Sequence, residues 1–112
     1  MKINIQSLSF NASGKLTDFT LDKVAKLELF TDRITQADVV LRADKSDSRD
    51  NKFCEIRLGI PGNDLFASKR QPTFEEAVTK TVEALRHQLL TWKQKAENRS
   101  NTQTADSIEG NE

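Results

Sequence analysis

The chain contains one cysteine and one histidine. Cys54 therefore has no internal disulfide partner, and with His87 as the lone imidazole no zinc site of the usual cysteine and histidine ligands is expected. The four glycines form neither a GxGxxG run nor a phosphate-binding loop, so nucleotide-cofactor chemistry has no motif to rest on. No apolar stretch approaches the roughly 18 residues that span a bilayer, and the opening MKINIQ lacks the apolar run of a signal peptide. A soluble cytoplasmic protein is expected, with no metal, cofactor, membrane partner or small-molecule substrate. An excess of charge is missing too. The 17 lysines and arginines match the 17 aspartates and glutamates, so no global field steers the chain toward a polyanion.

What is present is the pattern of one small domain, because 112 residues can bury a single core. Residues 2–10 alternate Ile3 and Ile5 with polar neighbours, the period of a half-buried strand. In 11–30, Ser13 is placed to cap a helix whose Leu16, Phe19, Val24, Leu27 and Phe30 share one face. Residues 34–43 alternate again, with Ala37, Val39 and Leu41 on one side and Asp38, Val40 and Arg42 on the other. The polar stretch 44–52 reads as a turn, 53–60 as a third strand with Cys54, Ile56, Leu58 and Ile60 inward, PGND as a tight turn, and 65–70 as a fourth strand. Thr73 and Glu76 have capping-box spacing at the start of a long helix. Phe74, Val78, Thr81, Val82, Leu85, Leu89 and Trp92 form its apolar stripe, about 100° wide at 100° per residue.

The resulting order, β-α-β-β-β-α, predicts an α+β fold of two layers. A crossover helix makes the first two strands parallel, the later strands pair antiparallel, and both helices pack on one face of a four-stranded mixed sheet. The domain is expected over 1–99, with 100–112 as a disordered acidic tail, since that stretch holds one large apolar residue, Ile108, and three acids without a base.

That division makes the body mildly basic, with a balance of +3 over residues 1–99. On the second helix Lys80, His87 and Lys95 flank one side of the apolar stripe, and Arg86 and Lys93 flank the other. On the first, Lys15, Lys26 and Arg33 line one edge with Asp22 among them, while Lys23 points near the middle of the apolar arc, where its stem can lie along the core. Two basic borders with a groove between or beside them suit folded RNA. The same spacing fits a solvated helix face. Trp92 sits on the apolar stripe and reads as core or rim packing, Cys54 as a buried thiol, and Glu75 and Glu76 as helix-start acids. No catalytic residue emerges.

The run 16-LTDFTLDKVAKLELFTDRITQADVVL-41, the later LFAS, and 77-AVTKTVEALRHQLLTWKQK-95 together resemble the short ribosome hibernation promoting factors and ribosome-associated translation inhibitors of bacteria. The most telling matches are AKLE, DRI, VVL, FAS and the L-x-x-QL-x-x-x-K-x-K pattern at Leu85, Gln88, Leu89, Lys93 and Lys95, and the likeness covers residues 1 to about 99. The resemblance implies a fold similar in shape to double-stranded-RNA-binding domains. It also implies a non-enzymatic factor, a monomer when free, lodged in the decoding channel of the small ribosomal subunit. There it would contact ribosomal RNA, exclude messenger and transfer RNA, and inhibit translation in idle ribosomes. Lys23, Lys26, Arg33, Lys93 and Lys95 match basic positions of the family, and Lys80, Arg86 and His87 complete the candidate RNA-binding set. Thr17, Ala84, His87 and Thr91 stand where relatives often carry a lysine or arginine. A module for free structured RNA would share this charge pattern. The long members of the family add a dimerising domain, and ribosome pairing through such a domain is not expected here.

Overall fold

The computed structural model describes the backbone of residues 1–44 and 49–105, and side chains as far as residue 96. Strand β1, Lys2–Leu8, keeps Ile3 and Ile5 half-buried and its other face toward solvent. It stops where Ser9 adopts a positive φ of 68°, which turns the chain out of the sheet. Helix α1, Gly14–Ala25, begins under the expected cap: Ser13 Oγ accepts from the Leu16 amide at 3.1 Å. The α-helix ends earlier than the sequence pattern suggests. Lys26–Leu29 is a 3₁₀ turn, and its three-residue repeat keeps Leu27 and Phe30 toward the core while Leu29 stands 83% exposed.

Strand β2, Gln36–Ala43, pairs parallel with β1 (Ile3 opposite Ala37) and antiparallel with β3, Lys52–Gly59 (Val39 opposite Ile56). Residues 45–48 of the expected turn 44–52 lie outside the described residues, and Asp44 N donates to Asn51 O at 2.9 Å across its base. Strand β4, Leu65–Gln71, completes the sheet in the order β1-β2-β3-β4. Between β3 and β4, Pro61 and Gly62 form the tight turn. Gly62 has a φ of +88°, which suits a residue without a Cβ, and the Asn63 amide donates back to Ile60 O at 3.4 Å.

Helix α2, Phe74–Ala105, starts with Thr73 Oγ1 accepting from the Glu76 amide at 3.1 Å and donating to Glu76 Oε1 at 3.0 Å. Its backbone continues six residues past Arg99, into the stretch where an acidic tail is expected. Neither glycine nor proline occurs between Phe74 and Ala105, so nothing in that sequence breaks the helix. Residues 106–112 of the expected tail lie outside the described residues.

The core forms where the helical layer meets the sheet. Val39, Leu41, Cys54, Ile56 and Leu58 on the sheet face Val24, Leu27, Val78, Leu85 and Leu89 on the helices, all at most 1% exposed. Each such aliphatic side chain contributes about 1.5–3 kcal/mol by leaving water. Two threonines are buried beside them without loss of hydrogen bonding: Thr20 donates to Leu16 O at 2.8 Å and Thr81 to Ala77 O at 2.7 Å. α2 covers β3 and β4, and α1 packs along β1 and against α2. Among the described residues no helix covers the other face of the sheet.

Candidate nucleic-acid interface

The apolar stripe of α2 fixes which way its charged residues project. Because the stripe is committed to the core, Arg86 emerges on the α1 side, and His87 and Lys95 on the β4 side. The structure therefore divides the eight sequence-expected residues among several settings.

Between α1 and α2 a groove of about 320 Å³ is rimmed by Lys23, Lys26 and Arg86 over apolar walls that include Leu29, Phe30 and Val82. Lys23 is half-buried, and its ammonium lies 5.4 Å from the centre of the Phe19 ring, so the stem follows the core edge as its position on the arc suggests. Lys26 opens the 3₁₀ turn, exposed, 3.5 Å from Asp22 in an i,i+4 pair whose side chains are 58% and 69% exposed. Such a pair contributes little and yields readily to a phosphate. Arg33 lies exposed in the segment leading into β2, where its amide donates to Thr31 Oγ1 at 3.2 Å.

On the opposite flank of α2, His87, Trp92 and Lys95 line a second cleft, of about 580 Å³, against the turn carrying Pro61 and Asn63. Trp92 packs partly on the core and partly into this lining, which joins the two roles that its sequence position leaves open. Lys80 stands apart from both. It shares a shallow outer depression with Glu75, Glu76 and Glu83, where three carboxylates offset its charge. Lys93 is exposed on α2 and lines neither groove. Among the described residues no ion pair holds Lys23, Arg33, Lys80, Arg86, Lys93 or Lys95.

Two features of this surface are not evident from the sequence. Leu29 reaches the groove because the 3₁₀ turn rotates it outward, and helical spacing alone cannot show that change of period. Pro61 and Asn63 meet α2 because the helix packs over β3 and β4, and Gln88 Nε2, donating to Phe66 O at 2.8 Å, ties it further to the edge strand. The one thiol is remote from all of it: burial pushes Cys54 up to about 12, a little further raised by Glu55 and opposed by its contact with Thr81, so it stays protonated and unreactive. Among the described residues no group of three or more His, Cys, Asp or Glu is placed to hold a metal, and no helix is long and apolar enough to cross a membrane.

This arrangement can be set beside known proteins. The ribosome hibernation promoting factor of Pseudomonas putida is 27% identical over 95 residues, covering 85% of this chain and 89% of that protein. The factor of the same name from Escherichia coli K12 is 30% identical over 95 residues, covering 85% of this chain and 96% of its own length. Among solved structures, a ribosomal subunit interface protein from Coxiella burnetii superposes with a TM-score of 0.73 at 18% identity, over 83% of this chain and 98% of that one. The N-terminal domain of Thermus thermophilus Protein Y gives 0.71 at 20% identity, over 82% and 99%. Both superpositions, over nearly the whole of those chains, show that this chain shares their fold. Residues 3–97 match the model of the family described as Sigma 54 modulation protein / S30EA ribosomal protein, and the chain belongs to that family.

Proposed function

We propose that this chain is a ribosome hibernation factor, bound to ribosomes in the cytoplasm, that inhibits translation by occupying space. In this reading it sits as a monomer in the decoding channel of the small subunit, where messenger and transfer RNA would lie. Residues 1–99 are the binding domain and the acidic residues 100–112 an appendage to it. Its helical layer meets ribosomal RNA. Lys23, Lys26 and Arg86 around the groove, with Arg33 and Lys93 beside it, neutralise phosphates and follow the shape of folded RNA, without reading base sequence. The carrying observation is that Lys23, Lys26, Arg86 and Lys93 stand on the two-helix layer, and that among the described residues these and Arg33 form no ion pair but the exposed one between Lys26 and Asp22.

The action is stoichiometric. The single thiol is buried and protonated, and the carboxylates at the start of α2 are engaged in capping or exposed to water, so the reading assigns no catalytic residue.

The test uses purified small subunits. The protein should co-sediment with them, saturate near one copy per subunit, and reduce messenger binding in proportion to occupancy, and an excess of free duplex RNA should displace little of it. Equal competition by free duplex would instead identify a general module for structured RNA. Inhibition that outlasts removal of the protein, or RNA turnover at substoichiometric amounts, would reject steric occupation.

A further inference from the structure

The cleft on the β4 side of α2 differs chemically from the groove on the α1 side. Among the described residues none that lines it is acidic, whereas Glu83 lines the inter-helix groove. His87, Thr91 and Lys95 succeed one another at i, i+4 and i+8, so they form one polar column about 12 Å long at 1.5 Å rise per residue. Trp92 lies beside that column and belongs to the cleft lining. Facing it, Pro61 and Asn63 are held by a turn with a backbone hydrogen bond at its base and Gly62 at positive φ. Gln88, on the α2 wall, donates to Phe66 O of β4 at 2.8 Å, which ties the helix to the strand that follows the turn. A volume of about 580 Å³ is of the size that encloses a small ligand.

We infer that this cleft takes one unpaired nucleotide of an RNA strand, with its base against Trp92 and its phosphate between His87 and Lys95. An aromatic surface next to cationic and hydroxyl groups, with a side-chain amide opposite at Asn63, offers stacking, charge neutralisation and a hydrogen bond to a base edge within one site. The inference rests on the RNA-binding reading and adds to it. The inter-helix groove meets phosphates of folded RNA, while this cleft captures a base that has left its stack. Two contacts on opposite flanks of α2 fix the orientation of the domain, which phosphate contacts on one flank leave loosely specified.

The chain has a single tryptophan, so its intrinsic fluorescence reports this cleft directly. The full chain is titrated with a short single-stranded oligoribonucleotide, with the same strand in a duplex, and with poly-glutamate. Single-stranded RNA should quench Trp92 saturably, with duplex at least about tenfold weaker and poly-glutamate without effect. Lys95→Gln, an exposed change, should weaken the single-strand midpoint about three- to tenfold and lower its salt dependence. Trp92→Leu should weaken small-subunit binding about tenfold, the scale of one lost base stack, and Trp92→Phe should recover most of it.

Equal quenching by poly-glutamate would overturn the nucleotide assignment in favour of an acidic peptide. A change in the fluorescence of the ligand-free chain on deleting residues 106–112 would assign the cleft to the chain's own acidic end. Small-subunit binding that is normal in the wild type and unchanged in Lys95→Gln and Trp92→Leu, with no quenching by single strands, would sink the cleft and leave the proposed function standing. Quenching by single strands without any small-subunit binding would do the reverse.

Discussion

On the open face of the sheet, Arg42 and Arg70 lie 4.2 and 5.1 Å from the centre of the Phe53 ring, and both guanidinium groups reach Asp44. On the helical face, Lys23, Arg86 and Lys93 form no ion pair among the described residues. The register explains the first arrangement. Arg42, Phe53 and Arg70 are directly opposite one another across β2, β3 and β4, so the ring is flanked from both neighbouring strands. Arg57 repeats the motif more loosely, 5.8 Å from Phe66, its cross-strand partner. Cations on the two faces thus have different uses: Arg42, Arg57 and Arg70 on the sheet hold its own surface together, and Lys23, Arg86 and Lys93 on the helices are available to an external anion. Counting charges over the chain, which gives zero, hides this division.

The largest effect is expected from reversing charge on the helical face. Lys26→Glu combined with Lys93→Glu should lower affinity for small subunits by about a hundredfold or more, since each removed phosphate contact is replaced by repulsion. Thermal stability should hardly move, because exposed substitutions usually cost within about 0.5 kcal/mol. Co-sedimentation of the folded double variant at wild-type levels would show that the available cations are only a solvated surface.

Most of the fold was legible in the sequence. Ser13 and Thr73 mark both helix starts, and the alternation of Val39, Val40 and Leu41, then Cys54, Glu55 and Ile56, shows which side of each strand is buried. What was not legible depends on contacts between elements. The flanking of Phe53 needs the register, and the cleft beside Trp92 needs the β3–β4 turn to lie against α2. Lys80 and His87, on one side of the stripe by angle, are separated because Glu75, Glu76 and Glu83 surround only the first. The change from α to 3₁₀ at Lys26 is invisible to a search at one helical period, and so is the exposure of Leu29 that follows from it.

The interior between the two faces provides a control of a different kind. Burial holds the Cys54 thiol up to about 12, above its ordinary 9.0, so the unfolded chain releases this proton first as pH rises. The folded state then binds more protons, and the thiol's contribution to stability, complete below pH 9, is lost progressively from there toward pH 12. Relative to Cys54→Val, the wild type should lose about 1.4 kcal/mol per pH unit within that window. Urea unfolding of both proteins across the window checks it. Parallel curves would mean that the thiol ionises within the fold and is accessible after all.

A smaller effect is expected from the carboxylate that joins the sheet arginines. Asp44→Asn weakens the link to both Arg42 and Arg70 while leaving their contacts with Phe53, and should cost about 1 kcal/mol of stability. Small-subunit affinity should be unchanged, because the released arginines remain on the face without helices. A stability loss accompanied by altered ribosome binding would show that this cluster also orders part of the interface.

A weaker effect still is expected at Arg57. Arg57 is exposed on the open face, its ring partner Phe66 is 45% exposed, and a cation over a ring in that setting contributes about 0.5–1 kcal/mol at most. Arg57→Gln keeps a long polar side chain over the ring, so stability should change by less than about 0.5 kcal/mol. The informative quantity is binding. If only the helical layer meets RNA, removing this cation changes small-subunit affinity by less than about twofold and leaves the slope of affinity against salt where it was. If the open face also lies against phosphates, the slope falls by about one unit of released counterion, and the loss grows as salt is lowered. Measuring the wild type and Arg57→Gln at two salt concentrations separates the cases, because a change in sheet packing alone alters affinity, where it alters it at all, by the same factor at both.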